Sequence, residues 1–131
     1  MHPQFIAYKN SSIGYYRFGN GLKTTICFHG YGQEAGTFSF LEKFAGNDFT
    51  FYAIDLPFHG STKWNEKEPF RWEDLRDIIN SIILRHDLQG LNKETKFTLL
   101  GFSLGGRIAL SLYQAMPSQF EKVVLLAPDG L

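Results

Sequence analysis

The residues best placed to do chemistry are those of Gly101-Phe102-Ser103-Leu104-Gly105. A short apolar run, residues 97–100, leads into this G-x-S-x-G, and a helix-patterned run, residues 104–116, leads out of it. A tight strand-to-helix turn pushes a serine hydroxyl clear of the sheet, with glycines two residues either side relieving the crowding. The helix that follows directs its positive end at the place where an oxyanion would form. The chemistry suggested is nucleophilic attack by Ser103 on a carbonyl. Taken alone, the same segment also reads as a Gly-rich turn that packs a helix on a strand. Two further clusters follow β-type runs: His29-Gly30-Tyr31-Gly32, and Asp55-Leu56-Pro57-Phe58-His59-Gly60-Ser61.

These clusters need a scaffold, and the hydrophobic pattern supplies one. Residues 5–9 and 13–18 flank Asn10-Ser11-Ser12 and read as a β-hairpin. Residues 24–28 and 49–54 are near-continuous apolar runs, as expected of strands buried on both faces. Residues 33–44 carry Phe38, Leu41 and Phe44 at helical spacing, with Phe40 beside them. Residues 63–69 are charged and polar and read as a surface loop. Residues 72–88 form the clearest helix, with Leu75, Ile78, Ile79, Ile82 and Ile83 in one stripe. The helix over residues 104–116 turns Ile108, Leu112 and Ala115 inward and stops near Pro117. Residues 123–126 are a last strand. Strands alternating with helices predict an α/β fold: a doubly wound, mostly parallel sheet flanked by helices, with an antiparallel start.

Composition narrows the function. The chain has 131 residues, 44% of them hydrophobic, enough for one core and one domain at most. Lys plus Arg and Asp plus Glu each number 13, and the basic residues are scattered. That argues against a nucleic-acid partner. Cys27, the one cysteine, sits inside an apolar strand and reads as a packed thiol. No Cys/His cluster has metal-ligand spacing, so neither a metal nor an organic cofactor is expected. Without a charged segment followed by an apolar one at the start, or any apolar run of membrane-spanning length, the expectation is a cytoplasmic protein with no membrane partner.

A strand followed by H-G-x-G, a strand followed by D-L-P-x-H-G-S, and a strand followed by G-x-S-x-G, in this order, resemble the α/β-hydrolase superfamily. The resemblance runs from about Ile13 to Pro128. It implies sheet order 1-2-4-3-5-6, which sets the His29 strand beside the Ser103 strand. It implies Ser103 as nucleophile, with an oxyanion hole made by the backbone N–H groups of Leu104 and Tyr31. His29 and Gly30 then support the oxyanion loop, Gly101 and Gly105 the elbow, and Asp55 and His59 stabilise a strand-end loop. The activity implied is hydrolysis of a small carboxylic ester or related acyl compound, so the partner is a small-molecule acyl substrate. Phe58 departs from the pattern, since the family often has Gly there. The expectation is that it alters loop packing and not chemistry.

One part is missing. A serine nucleophile needs a base, and that base an orienting acid. In this superfamily the order is Ser, Asp or Glu, then His, yet no histidine follows Ser103 in the 131 residues. His59 would lie two strands away, roughly 10 Å at ordinary strand spacing. His86 ends a helix running toward the opposite rim, and His2 precedes the first strand. Asp129 follows the strand expected beside the elbow strand. It reads either as an orienting acid or as part of a Pro-Asp-Gly turn. Residues 1–131 therefore read as the amino-terminal part of a single hydrolase domain, cut after the sixth strand, with the histidine, its acid and the cap elsewhere. The runner-up is a non-catalytic binding module on a hydrolase fold. A bare strand at residues 123–126 further predicts self-association through that edge.

Overall fold

The computed structural model describes residues 2–45, 47–86 and 96–127. Two strands, β1 (Gln4–Tyr8) and β2 (Ser11–Gly19), form an antiparallel hairpin in which Tyr8 pairs with Ser11. The turn between them holds Lys9 at φ 51°. β3 (Lys23–Phe28) and β4 (Phe49–Ile54) pair in parallel, and β4 joins the hairpin through an antiparallel pairing with β2. β5 (Phe97–Phe102) and β6 (Phe120–Leu126) extend the parallel part. The order across the sheet is β1-β2-β4-β3-β5-β6, the order that the resemblance implies.

Side chains that alternate along the strands feed two cores, which is why helices cover both faces. Along β3, Ile26 and Phe28 enter a core shared with α2 (Trp72–Arg85) and α3 (Leu104–Ala115). Cys27 enters the other, beneath a 3₁₀ segment (Ala35–Leu41) that contributes Ala35 and Phe38. The α2 stripe of Leu75, Ile78, Ile79, Ile82 and Ile83 is buried throughout. Four of those five residues are β-branched, and each loses up to about 0.7 kcal/mol in helix propensity. Burial at about 1.5–3 kcal/mol per side chain is the larger effect and makes this segment a helix.

Three expectations need correction. Residues 33–44 were expected to form one helix. They form the 3₁₀ segment followed by a single α turn, α1 (Glu42–Ala45). A 3₁₀ repeat of three residues keeps Ala35 and Phe38 buried and lays Leu41 on the same cluster. Phe44, beyond it, is exposed, as is Phe40. In α3 the buried positions are Gly105, Gly106, Ala109 and Leu112, with Ile108 partly buried against the same core and Ala115 exposed. The stripe follows the small residues, because they let the helix lie close on the sheet. The elbow strand also runs two residues further than residues 97–100 suggest, to Phe102. The expected end of α2 at residue 88, like Asp129, lies outside the described residues; the described helix ends at Arg85, with His86 as its cap.

Candidate active site

Ser103 joins β5 to α3 at φ 55°, ψ −118°, a backbone conformation that only glycine adopts without strain. Its N–H donates to Leu126 O at the end of β6 (3.0 Å), and its carbonyl accepts from Gly106 N–H (2.9 Å). The turn is thus anchored on both sides. The two flanking glycines are steric requirements. A Cβ on Gly101 would sit 2.3 Å from Gly105 O, and one on Gly105 would sit 2.0 Å from Phe28 O. A side chain at Gly101 would push α3 away from β5, and one at Gly105 would push it off the end of β3.

The β3–β5 pairing, with Phe28 opposite Gly101, brings the loop after β3 against this turn. A Cβ on Gly30 would lie 3.1 Å from Ser103 Cβ, so the two loops are in contact. The amides around Tyr31 are nearly all engaged. Gly30 N–H donates to Gln33 Oε1 (3.0 Å), Gly32 N–H to His59 Nε2 (3.0 Å) and Gln33 N–H to Gly30 O (3.1 Å). Tyr31 N–H donates to no acceptor among the described residues. Leu104 N–H opens α3, where the first amides of a helix have no intrahelical acceptor. The Tyr31 ring is 83% exposed and stands edge-on to His59, with centroids 5.7 Å apart.

Both histidines on this rim have spent both ring nitrogens. His29 is fully buried; its Nδ1 pairs with Gly30 O (2.8 Å), and its Nε2 accepts from Leu56 N–H (3.0 Å). Since a carbonyl only accepts, Nδ1 carries the proton. Burial holds the His29 pKa below its ordinary value, with neighbouring His59 adding to the effect. His59 repeats the pattern, Nδ1 on Pro57 O (2.9 Å) and Nε2 on Gly32 N–H. Neither has a lone pair left for a serine hydroxyl. His86 is remote from this rim, with Nε2 2.8 Å from Tyr15 Oη, and burial lowers its pKa too. Asp55 is buried and accepts from Ala35 N–H (2.7 Å), Ser61 N–H (2.9 Å) and Ser61 Oγ (2.7 Å). These bonds tie the loop after β4 to the start of the 3₁₀ segment.

Sequence reading missed Gln33, whose side chain braces Gly30, and Thr62, which accepts from Gly14 N–H (2.9 Å) and donates to Asp55 O (2.6 Å). Neither carries a spacing signal; both are found only once the loops are folded together. Among the described residues no three His, Cys, Asp or Glu side chains gather where they could hold a metal ion. Nor is any described helix long and apolar enough to cross a membrane.

The alpha/beta hydrolase fold model matches residues 24–130. The chain belongs to the α/β-hydrolase fold family. Among curated α/β-hydrolase relatives, it is 29% identical over 113 residues to a serine hydrolase-like protein of Danio rerio, covering 82% of this chain and 32% of that protein. It is also 29% identical over 124 residues to esterase Rv0045c of Mycobacterium tuberculosis, covering 95% of this chain and 39% of the esterase. A thermophilic esterase from Thermogutta terrifontis superposes with TM-score 0.75 at 16% identity, over 98% of this chain and 46% of that one, a likeness of fold. The chain thus spans about a third of the length of the curated relatives it matches.

Proposed function

We propose that this chain supplies the nucleophile half of a serine hydrolase acting on a small carboxylic ester or related acyl compound. The observation that carries the reading is Ser103 held at φ 55° between two glycines that admit no side chain. Backbone strain at a single polar residue, on the rim where α/β sheets bind ligands, is the signature of a functional constraint. In this reading Ser103 Oγ attacks the substrate carbonyl, and the amides of Tyr31 and Leu104 receive the oxyanion. Each such donor contributes about 3–4 kcal/mol to barrier lowering. His29 and His59 act as loop braces, because their ring nitrogens are engaged. The histidine that takes the serine proton then comes from sequence outside these 131 residues, and the acid that orients it is either Asp129 or a residue from outside them as well. A cytoplasmic setting belongs to the same reading, as does self-association of the isolated chain through β6.

The test is turnover of an activated aryl ester by the complete protein, by its Ser103→Ala variant and by the isolated 131-residue chain. The complete protein hydrolyses the ester and Ser103→Ala loses at least about a thousandfold in kcat, the scale set by losing a nucleophile. The isolated chain gives only background, unaltered by Ser103→Ala. Undiminished turnover in Ser103→Ala overturns Ser103 as the nucleophile, and no turnover by the complete protein overturns the reading in favour of a binding module.

A further inference from the structure

Leu56, Pro57, Phe58 and His59 form a β-turn closed by His59 N–H on Leu56 O (3.0 Å). With Pro57 at its second position and a positive φ at its third, it has the form of a type II turn, which demands glycine at that third position. The residue there is Phe58, at φ 67°. The side chain does not compensate by packing: it is 82% exposed. Phe58 is therefore unfavourable twice, in backbone sterics and in apolar surface left to water, and nothing in the described chain offsets either.

Its position shows what would. Phe58, Tyr31 and His59 line a cleft of about 690 Å³ with Gln33, Glu34, Thr37 and Gly60, Glu34 being the one carboxylate among the described residues on its wall. The two exposed rings, Phe58 and Tyr31, belong to loops joined by the Gly32 to His59 hydrogen bond, so they are fixed relative to each other. The unengaged Tyr31 amide belongs to the same loop as one ring. Taking the ester reading of Ser103 as given, we infer that Phe58 and Tyr31 wall a subsite for the apolar arm of the ester, and that Phe58 sets the preference for arm length. Substrate binding buries both rings, returning the apolar contact that the turn's strain opposes.

The experiment uses the complete protein in a Ser103→Ala background, so that binding is read without turnover. Calorimetric affinities for decanoate and for decanol, the acid and alcohol arms, are measured with Phe58, Phe58→Gly and Phe58→Leu, together with thermal midpoints. Phe58→Gly weakens one of the two ligands at least fivefold and raises the midpoint, because glycine relieves the turn; Phe58→Leu weakens it less and does not raise the midpoint. The ligand that weakens identifies the arm. Unaltered affinity for both overturns the subsite. So does a lowered midpoint in Phe58→Gly, which means that the ring packs against the protein's own chain. Weakened binding without any Ser103-dependent turnover keeps the subsite and sinks only the hydrolase reading. Turnover with unaltered binding does the reverse.

Discussion

At the scale of single residues, the rim of this sheet separates groups that hold loops from a group that is held. His29, His59 and Asp55 look in sequence like catalytic parts, yet their polar atoms are consumed by backbone N–H groups, carbonyls and Ser61. Ser103, by contrast, is held at φ 55°. The buried imidazole of His29 makes a prediction about pH. Its folded pKa is below the ordinary value, which is about 6.5 for an unfolded chain. The unfolded state therefore binds the proton first as pH falls. The stabilisation is full above about 6.5 and declines as pH drops through that value toward the folded pKa. Denaturant titrations should give a lower midpoint at pH 5.5 than at pH 7.5, and His29→Asn should reduce the difference. His86, shifted the same way by burial, contributes in the same direction, and His86→Gln removes its part. Equal midpoints at the two pH values would contradict this account of the imidazoles.

At the scale of elements, the site depends on how closely α3 approaches β3, and Gly105 sets that approach. Replacing a helical glycine by alanine normally gains about 1 kcal/mol. Here the new Cβ would meet Phe28 O at 2.0 Å, against backbone that cannot swing aside. Overpacking of this kind costs about 1–3 kcal/mol and more when backbone must move, so the clash wins. Gly105→Ala should destabilise the protein by about 2 kcal/mol in urea unfolding, and a stabilised variant would show that α3 sits further from β3. Elements with a strong period were legible in the sequence: the Ile-rich stripe of α2, the β3 and β4 runs, and the turn around Ser103. The 3₁₀ segment was not, since Phe38 and Leu41, three residues apart, suit a three-residue and a 3.6-residue repeat alike, and only the fold shows Phe44 exposed. The α3 face was misjudged at Ala115 because glycines, invisible to a hydrophobic pattern, mark its contact side. Phe58 was seen as a departure, but only the folded turn reveals that it is strained and exposed.

At the scale of the whole molecule, the sheet has β1 at one edge and β6 at the other, and β6 pairs only with β5 among the described residues. A strand edge with unpaired N–H and C=O groups is a template for another chain, and a net charge of zero gives little repulsion between copies. The isolated 131-residue chain should sediment as a dimer or larger species at micromolar concentration. Val124→Pro and Leu126→Lys should return it toward monomer, and a monodisperse wild-type monomer would contradict the edge pairing. The central claim, however, concerns chemistry at one atom, and one measurement reaches it directly. The complete protein is treated with a fluorophosphonate, which forms a stable bond only with an activated serine, and the adduct is mapped by peptide mass spectrometry. The account predicts stoichiometric modification of Ser103, absent in Ser103→Ala. No adduct, or an adduct on another serine that persists in Ser103→Ala, would contradict it.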